Sequence, residues 1–167
     1  MFVLGIDPGL TRCGYGAVTR TGSALHAVAA GVLRTPATAS LPERLAELQA
    51  GIRALLEELR PDAVAVERIF FQANARTAMS VGQASGVALA EACAAGCVVA
   101  EYTPSQVKSA VAGSGTADKG QVQRMVQAVL GLETLPAPAD AADALALAIC
   151  HHAVSPLTRR VQEAIRR

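Results

Sequence analysis

The sequence predicts a single α/β domain built around a mixed β-sheet. Its 167 residues suffice for one domain with one substantial core, but not for a two-lobed architecture. Three short apolar runs open the chain, and helical and strand patterns then alternate, which is typical of an α/β fold. Hydrophobic residues make up 51% and charged residues 17% of the chain, a balance that excludes a disordered protein.

The first part of the chain is predicted to form an antiparallel meander. Residues 2–6, 13–19 and 25–33 have the apolar content of short strands, and turn signals that include Gly9 and Gly22 separate them. Short turns between consecutive strands are typical of antiparallel pairing.

A helix is predicted over residues 41–59. Ser40 and Glu43 have the spacing of a capping box, and Pro42 is placed early in the first turn. Leucine and isoleucine then recur at helical spacing until Pro61 ends the pattern.

The rest of the chain alternates between strands and helices, which favours a mixed sheet. We predict strands over 63–69 and 98–102, and helices over 74–95, 105–111, 120–130 and 139–154. Residues 1–157 are assigned to the domain, and residues 158–167 to an arginine-rich tail that is a candidate disordered segment.

The cysteines and the apolar stretches favour a cytoplasmic protein. Cys13, Cys93, Cys97 and Cys150 fit neither a disulfide framework nor a Cys-x-x-Cys redox pair, so we expect free thiols. The start of the chain lacks the basic segment of a secretory signal, and the longest weakly polar stretch, residues 86–100, is too short to cross a bilayer. We therefore expect no membrane association.

Four acidic residues stand where a ligand site is expected. Asp7 and Glu67 each follow an apolar strand, and in open α/β sheets ligands gather at the carboxyl ends of strands. Asp140 and Asp143 lie three positions apart in an alanine-rich helix, which puts them on one helix face. Taken singly, each acid has a plainer explanation as a turn former, a solvated strand end or a partner of the helix dipole.

Together, the four acids indicate a metal site. Only alanine and leucine surround Asp143 in the sequence, and no cation is near it to form a pair. Acids in apolar surroundings are costly unless they gather around a cation, so we expect these four to converge without a resident one. Oxygen ligands alone select hard ions, which favours Mg²⁺ or Mn²⁺ over zinc.

These residues resemble those of the RuvC family of bacterial Holliday-junction resolvases. The likeness covers nearly all of the chain before its tail, and its last motif is the most specific. The motifs are Gly5-Ile6-Asp7-Pro8-Gly9, Cys13-Gly14-Tyr15-Gly16, Glu67-Arg68-Ile69-Phe70 and Asp140-Ala141-Ala142-Asp143-Ala144-Leu145-Ala146. The resemblance implies an RNase H-like fold with helices on both faces of the sheet, a homodimer, and paired nicking of four-way DNA junctions in recombination and repair.

The resemblance also implies a ligand set and partners. By matched position, the catalytic and metal-binding residues would be Asp7, Glu67, Asp140 and Asp143. They would hold two Mg²⁺ ions, for which Mn²⁺ could substitute, with Asp7 bridging the ions. Two such ions can clamp the attacking water and the leaving oxygen of a phosphodiester displacement. The implied partners are junction DNA and the branch-migration complex of RuvA and RuvB.

Basic and aromatic residues supply a candidate DNA-binding set. Lys108 and Lys119 are the only lysines in the chain, and both match basic positions that face the scissile region in the family. In another chain they would be read as ordinary surface lysines. By the same resemblance, Phe70 would stack on a base, and Arg68 and Arg76 would contact phosphates.

A line of small residues at four-residue spacing runs along the helix predicted over 74–95. Its members are Ala78, Gly82, Gly86 and Ala90. Such a line permits close helix packing, either on the domain's own sheet or between two subunits. The resemblance favours a dimer interface.

Other functions compete with the junction nuclease. The first motif also resembles the phosphate motif of the actin and hexokinase superfamily, whose two lobes need a longer chain. An RNase H-like factor acting on RNA and a non-catalytic junction-binding protein stay open as alternatives, although a non-catalytic protein would not need four acids.

Overall fold

The computed structural model describes residues 1–68 and 75–165, with only the backbone described at 75–77 and 156–165. Within these ranges the strands are β1 (Phe2–Asp7), β2 (Arg12–Thr21), β3 (Ala24–Arg34), β4 (Ala63–Glu67) and β5 (Val98–Tyr102). The helices are α1 (Leu41–Leu59), α2 (Ala75–Ala94), α3 (Pro104–Ala112), α4 (Lys119–Leu130) and α5 (Ala139–Ile165).

The strands form one mixed sheet in the order β3-β2-β1-β4-β5. Strands β1, β2 and β3 pair antiparallel, which confirms the predicted meander, whereas β4 is parallel to both β1 and β5. The central strand is therefore β1. Because β1, β4 and β5 run in the same direction, their carboxyl ends meet at one edge of the sheet.

The predicted element order is confirmed, and most boundaries agree within two residues. Strand β2 extends beyond its predicted end at residue 19 because it continues into a tight hairpin turn with β3, where Gly22 has a φ of 60°. Helix α5 continues to Ile165, so the boundary proposed at residue 158 falls inside a helix. The division of the chain into a domain and a tail stays a prediction.

Local sequence signals explain where α1 begins and ends. The backbone N–H and the hydroxyl of Ser40 both donate to the Glu43 carboxylate, at 2.8 and 2.7 Å. The helix ends where Arg60 adopts a left-handed conformation with a φ of 48°, one residue before Pro61. Its apolar stripe is buried against the sheet at Leu48, Ile52 and Leu56.

Two hydrophobic cores form, one on each face of the sheet. Helices α1 and α2 cover the face that includes Leu4 and Ile6, and helices α3, α4 and α5 cover the face that includes Val3. Successive residues of a strand point to opposite faces, so the odd-numbered residues of β1 all point toward α5. This alternation determines on which face Asp7 lies.

Three glycines allow α5 to lie very close to the sheet. A Cβ atom on Gly5 would stand 1.9 Å from the Ala144 carbonyl oxygen, and one on Gly14 would stand 2.1 Å from the Asp140 carbonyl oxygen. A Cβ atom on Gly16 would meet the Leu145 backbone nitrogen at 2.6 Å. Since no side chain fits there, these glycines set the separation between the helix and the strands that carry the acids.

Two further expectations concern the thiols and the membrane. All four cysteines are free. In the part of the chain that the structure describes, no helix combines the length and apolarity needed to span a membrane.

Candidate active site

Asp7 and Glu67 lie side by side at the carboxyl ends of two parallel strands. Ile6 of β1 is paired with Val66 of β4, so each acid is one residue beyond a matched pair. Glu67 shares a face with Ala65, which belongs to the core beneath α5, and Asp7 shares that face through Gly5. Both acids therefore point toward α5.

The other two acids come from the first turns of α5. Asp140 is on the turn whose backbone touches Gly14, and Asp143 lies one turn further on. The residues between and after them are alanine and leucine, all deeply buried. Because this stretch of α5 is buried apart from Asp140 and Asp143, the two acids have a fixed place above the strand ends.

The charges of these acids act on one another. Burial, followed by the charges of Glu67, Asp143 and Asp140, raises the pKa of Asp7 from 3.8 to about 7. Burial and the charge of Asp143 also raise the pKa of Glu67. The acids are therefore close enough for the charge of one to act on another.

Two of the acids are held by cations. Arg12 donates to Asp140 Oδ2 from Nε at 2.9 Å and from a second guanidinium nitrogen, and Lys119 Nζ donates to Asp143 Oδ2 at 2.7 Å. Burial alone would raise the pKa of Asp140, but the hydrogen bonds and charge of Arg12 lower it. The bond to Asp143, in turn, raises the pKa of Lys119.

The expectation of four acids without a resident cation is therefore wrong for Asp140 and Asp143. Their partners are 128 and 24 positions away in the chain, beyond the reach of any local sequence pattern.

The donor set fits a hard divalent cation. All four side chains are carboxylates, and a divalent cation would offset the burial and the neighbouring charges that raise the pKa of Asp7. Among the described residues, no three acidic, histidine or cysteine side chains surround a common point as they stand. No cation in the part of the chain that the structure describes lies within salt-bridge distance of Asp7 or Glu67.

A pocket of about 220 Å³ opens beside Glu67 and Asp143. Lys108 of α3 and Lys119 of α4 both line it, together with apolar side chains of α3, α4 and α5. The two lysines of the chain thus lie at the candidate active site, although they are far from the acids in sequence. Helix α4 starts at Lys119, where Asp118 caps it by accepting from the Gln121 N–H at 2.8 Å.

The other predicted DNA-binding residues lie in the sequence from the end of β4 to the first turn of α2. Arg68 is exposed directly after Glu67, and its backbone N–H donates to the Tyr102 carbonyl oxygen at 2.8 Å. Phe70 and the side chain of Arg76 lie outside the described residues.

The line of small residues on α2 faces away from the sheet. Gly82, Gly86 and Ala90 are exposed, and a Cβ atom on either glycine would meet nothing within 4 Å. Ala84 and Ala88 pack on the sheet instead. Packing on the domain's own sheet is therefore excluded for Gly82, Gly86 and Ala90, whereas Ala78, the first member of the line, is half-buried.

Arg12 is the site residue that the sequence analysis missed. It alternates with Gly14 and Gly16 along β2 and so belongs to the strand face that α5 covers. A basic residue in that series, next to the turn that follows Asp7, is the signal that would have indicated it.

Comparisons with known proteins identify a family for the chain. The family model described as crossover junction endodeoxyribonuclease RuvC matches residues 3–151. Relatives with that name from Frankia casuarinae and Moorella thermoacetica are 54% and 52% identical over 165 and 163 residues, covering 98% of this chain in each case and 96% and 98% of theirs.

Solved structures give the same result. T. thermophilus RuvC in complex with Holliday junction substrate matches with a TM-score of 0.90 and 40% identity, over 95% of this chain and 96% of that one. The yeast mitochondrial Holliday junction resolvase Ydc2, with a TM-score of 0.65 and 17% identity over 89% of this chain and 77% of that one, shares the fold alone. The RNase H-like fold expected from the sequence is confirmed.

Proposed function

We propose, because the chain belongs to the RuvC family of crossover junction endodeoxyribonucleases, that it resolves four-way DNA junctions by paired, symmetric nicks. The family makes it a nuclease that depends on a divalent metal. The finer assignments, namely two Mg²⁺ ions, the catalytic residues and the homodimer, are the proposal. The observation that carries it is the placement of four carboxylates at one edge of the sheet, with Asp7 and Glu67 at paired strand ends and Asp140 and Asp143 in the first turns of α5. Burial, followed by the charges of the other three acids, raises the pKa of Asp7 to about 7.

In this proposal Asp7, Glu67, Asp140 and Asp143 hold the metal ions. When bound, the ions supply Lewis-acid stabilisation to an in-line phosphodiester displacement. Asp7 is on the central strand and interacts with the other three acids, which suits a ligand shared by both ions. Mn²⁺ is an expected substitute because it accepts the same oxygen ligands.

Lys108 and Lys119 orient the scissile phosphate. Both line the pocket beside Glu67 and Asp143, where a phosphodiester must lie if those acids hold the catalytic ions. A lysine in such a position stabilises the negative charge that develops during displacement. Lys119 also keeps Asp143 in place through their hydrogen bond of 2.7 Å.

Outside the acid cluster, Arg68, Phe70 and Arg76 are proposed to hold the DNA. The exposed position of Arg68 next to Glu67 supports a phosphate contact near the cut. Phe70 is expected to stack on an unpaired base, so Phe70→Ala should lose activity on intact junctions without a fall in the melting temperature. A steep fall would instead place the ring in the core, because deleting a core phenylalanine costs about 3–5 kcal/mol.

A nicking assay on a four-way junction tests the proposed function. Each strand is labelled in turn, and products are resolved on a denaturing gel with and without Mg²⁺, with a linear duplex of the same sequence as control. We expect nicks at symmetric positions in two strands of like polarity, only in the junction and only with metal. Equal cleavage of the linear duplex would overturn the junction assignment, and cleavage of an RNA substrate alone would support the RNA-acting alternative.

The dimer is proposed to form through the exposed face of α2. A monomer could make one cut before dissociating, whereas a two-fold axis places two active sites against symmetric strands. Gly82→Leu should separate the subunits without disturbing the fold, because no atom lies within 4 Å of the added Cβ. Ala50→Leu, on the exposed side of α1, is the matched control. Sedimentation at micromolar concentration measures both, and a monomeric wild type that still makes paired cuts would refute the proposal.

The expectation that the branch-migration proteins RuvA and RuvB are partners of this protein stays a prediction. Co-sedimentation of the three proteins with a junction would measure it.

A further inference from the structure

We propose that Arg12 is a positioning residue that orients the carboxylate of Asp140 for divalent-cation binding. The inference rests on the proposed function, since it concerns a ligand of that site.

The hydrogen bonds between Arg12 and Asp140 fix the orientation of the carboxylate. Two guanidinium nitrogens of Arg12, one of them Nε at 2.9 Å, donate to the same oxygen of Asp140, Oδ2. Charge-assisted bonds from a planar guanidinium are strong and directional, and this contact leaves Oδ1 unused by Arg12. The carboxyl torsion of an aspartate is otherwise broad, so two donors on one oxygen fix which oxygen is left for a cation.

The backbone around Arg12 is held in place by packing and hydrogen bonds. A Cβ atom on Gly9 would be 2.2 Å from the Arg12 carbonyl oxygen, so the turn before Arg12 is tightly closed. The next residue back, Thr11, accepts a hydrogen bond from Arg44 at 2.6 Å, and its carbonyl oxygen accepts one from the Thr35 N–H at 3.3 Å. Arg12 itself is paired with Arg34 across the β2–β3 ladder.

The aspartate is equally constrained. Its backbone carbonyl lies against Gly14, two residues along β2 from Arg12, at a distance that admits no Cβ atom. Both ends of the Arg12–Asp140 contact are therefore fixed by backbone packing between β2 and α5. Side chains placed in this way pre-organise a site, whereas surface ion pairs between free side chains do not.

The effect on cation binding has a defined sign. A second partner that orients a ligating carboxylate is typically worth about 10–100-fold in metal affinity. The positive charge of Arg12 acts in the opposite direction, because it repels a divalent cation. Loss of affinity on removal of Arg12 would therefore indicate orientation, since loss of charge alone would increase the affinity.

The experiment is a titration of the full-length protein with Mn²⁺ alone, in the absence of DNA, followed by electron paramagnetic resonance of the free ion. Arg12→Ala is expected to weaken Mn²⁺ binding about 10–100-fold, and Arg12→Lys, which keeps the charge but not the two-donor fork, by an intermediate amount. Arg34→Ala is the matched control, because Arg34 is the exposed cross-strand neighbour of Arg12. It should bind Mn²⁺ as the wild type does.

A double-mutant cycle separates orientation of Asp140 from any other role. In an Asp140→Ala background, Arg12→Ala should cause no further loss of Mn²⁺ affinity, because only the repulsion by the Arg12 charge is left to be removed. Thermal unfolding of each variant accompanies the titration, and Arg12→Lys decides the question if Arg12→Ala does not fold.

Each outcome has a defined meaning. Three outcomes would overturn the role of Arg12 and leave the proposed function intact. They are wild-type Mn²⁺ affinity in either Arg12 variant, an equal loss of affinity in Arg34→Ala, and an additive loss in the Asp140→Ala background. Absence of both Mn²⁺ binding and junction nicking in the wild type would overturn the proposed function instead.

Discussion

Asp7 and Glu67, which end two strands, differ in their surroundings from Asp140 and Asp143, which start a helix. The strand acids are largely buried and lie beside other carboxylates, and their pKa values are raised. The helix acids are about one-third exposed, and each is held by a cation, Arg12 or Lys119. One site therefore contains two acids whose pKa values are raised and two acids that each pair with a cation.

The difference indicates how a cluster of four carboxylates is compatible with a stable fold. Four uncompensated charges at one edge would weaken folding, whereas two compensated acids leave only two to be stabilised by proton uptake or by a metal. In this arrangement Asp140 and Asp143 are held in ion pairs, and the proposed function leaves Asp7 and Glu67 as the acids that a metal would stabilise. The following predictions test that division, from the largest expected effect to the smallest.

Asp7→Asn is expected to lower the nicking rate by about 10³-fold or more, while junction binding is retained. The change removes the charge of the acid that interacts with the other three but keeps its size, and metal stabilisation of this displacement is worth several kcal/mol. Single-turnover nicking and a binding titration on the same junction measure the two effects. Unchanged cleavage would remove Asp7 from the mechanism.

Melting temperatures of the metal-free protein at neutral pH should distinguish the strand acids from the helix acids. Asp7→Asn should raise the melting temperature because it removes a repelled, buried charge, whereas Asp140→Asn should lower it because Arg12 loses its partner. Shifts of the same sign in both variants would contradict the division between the halves.

Lys119→Ala is expected to slow single-turnover cleavage by about 10²-fold, more than it weakens junction binding. The variant removes a charge from the pocket and leaves Asp143 without its 2.7 Å partner, so the helix half comes to resemble the strand half. Lys108→Ala should act in the same direction, and less strongly because it leaves the bond to Asp143 intact. A loss of affinity at an unchanged cleavage rate would instead assign the lysines to general backbone binding.

Gly14→Ala is expected to destabilise the fold by about 1–3 kcal/mol and to move the two halves apart. Its Cβ atom would stand 2.1 Å from the Asp140 carbonyl oxygen, which is backbone and cannot rotate away. Gly51→Ala is the matched control, since its Cβ atom would meet only the end of the Leu33 side chain, at 3.2 Å. Thermal melting of both variants measures the effect, and equal stability would show that α5 can retreat without penalty.

Mn²⁺ affinity is expected to rise roughly tenfold between pH 6 and pH 8. A proton must leave Asp7, whose pKa is about 7, before the carboxylate can bind a cation, and the raised pKa of Glu67 acts in the same direction. Asp140 should add nothing in this range because its pKa is lowered. Titrations at several pH values measure the slope, and Asp7→Asn should flatten it.

The stability of the metal-free fold is expected to fall with rising pH, whereas Mn²⁺ affinity is expected to rise. An acid with a raised pKa in the folded state stabilises the metal-free protein at low pH. For Asp7 this contribution is lost as pH rises from 3.8 to about 7. The melting temperature of the metal-free protein should therefore fall across that pH window. With Mn²⁺ present, the melting temperatures measured at different pH values should lie closer together.

Local signals in the sequence were sufficient for the element order and for the positions of Asp7 and Glu67 at strand ends. The capping pair of Ser40 and Glu43 and the break at Pro61 set the bounds of α1, because helix ends depend on residues within a turn of them. An acid that follows an apolar run was enough to place Asp7 and Glu67 at strand ends. The alternation of strands and helices was enough for the mixed sheet.

Only the tertiary structure decided how the acids are neutralised and which face of α2 is free. Arg12 meets Asp140 and Lys119 meets Asp143 because α5 packs over β2 beside α4, and no periodic pattern in the chain encodes contacts between such distant residues. The spacing of the small residues around Gly82 was compatible with either a buried or an exposed helix face. Because Ala84 and Ala88 pack on the sheet, the face that carries Gly82 is exposed. Spacing records which residues share a face, whereas the surface that a face meets depends on the whole fold.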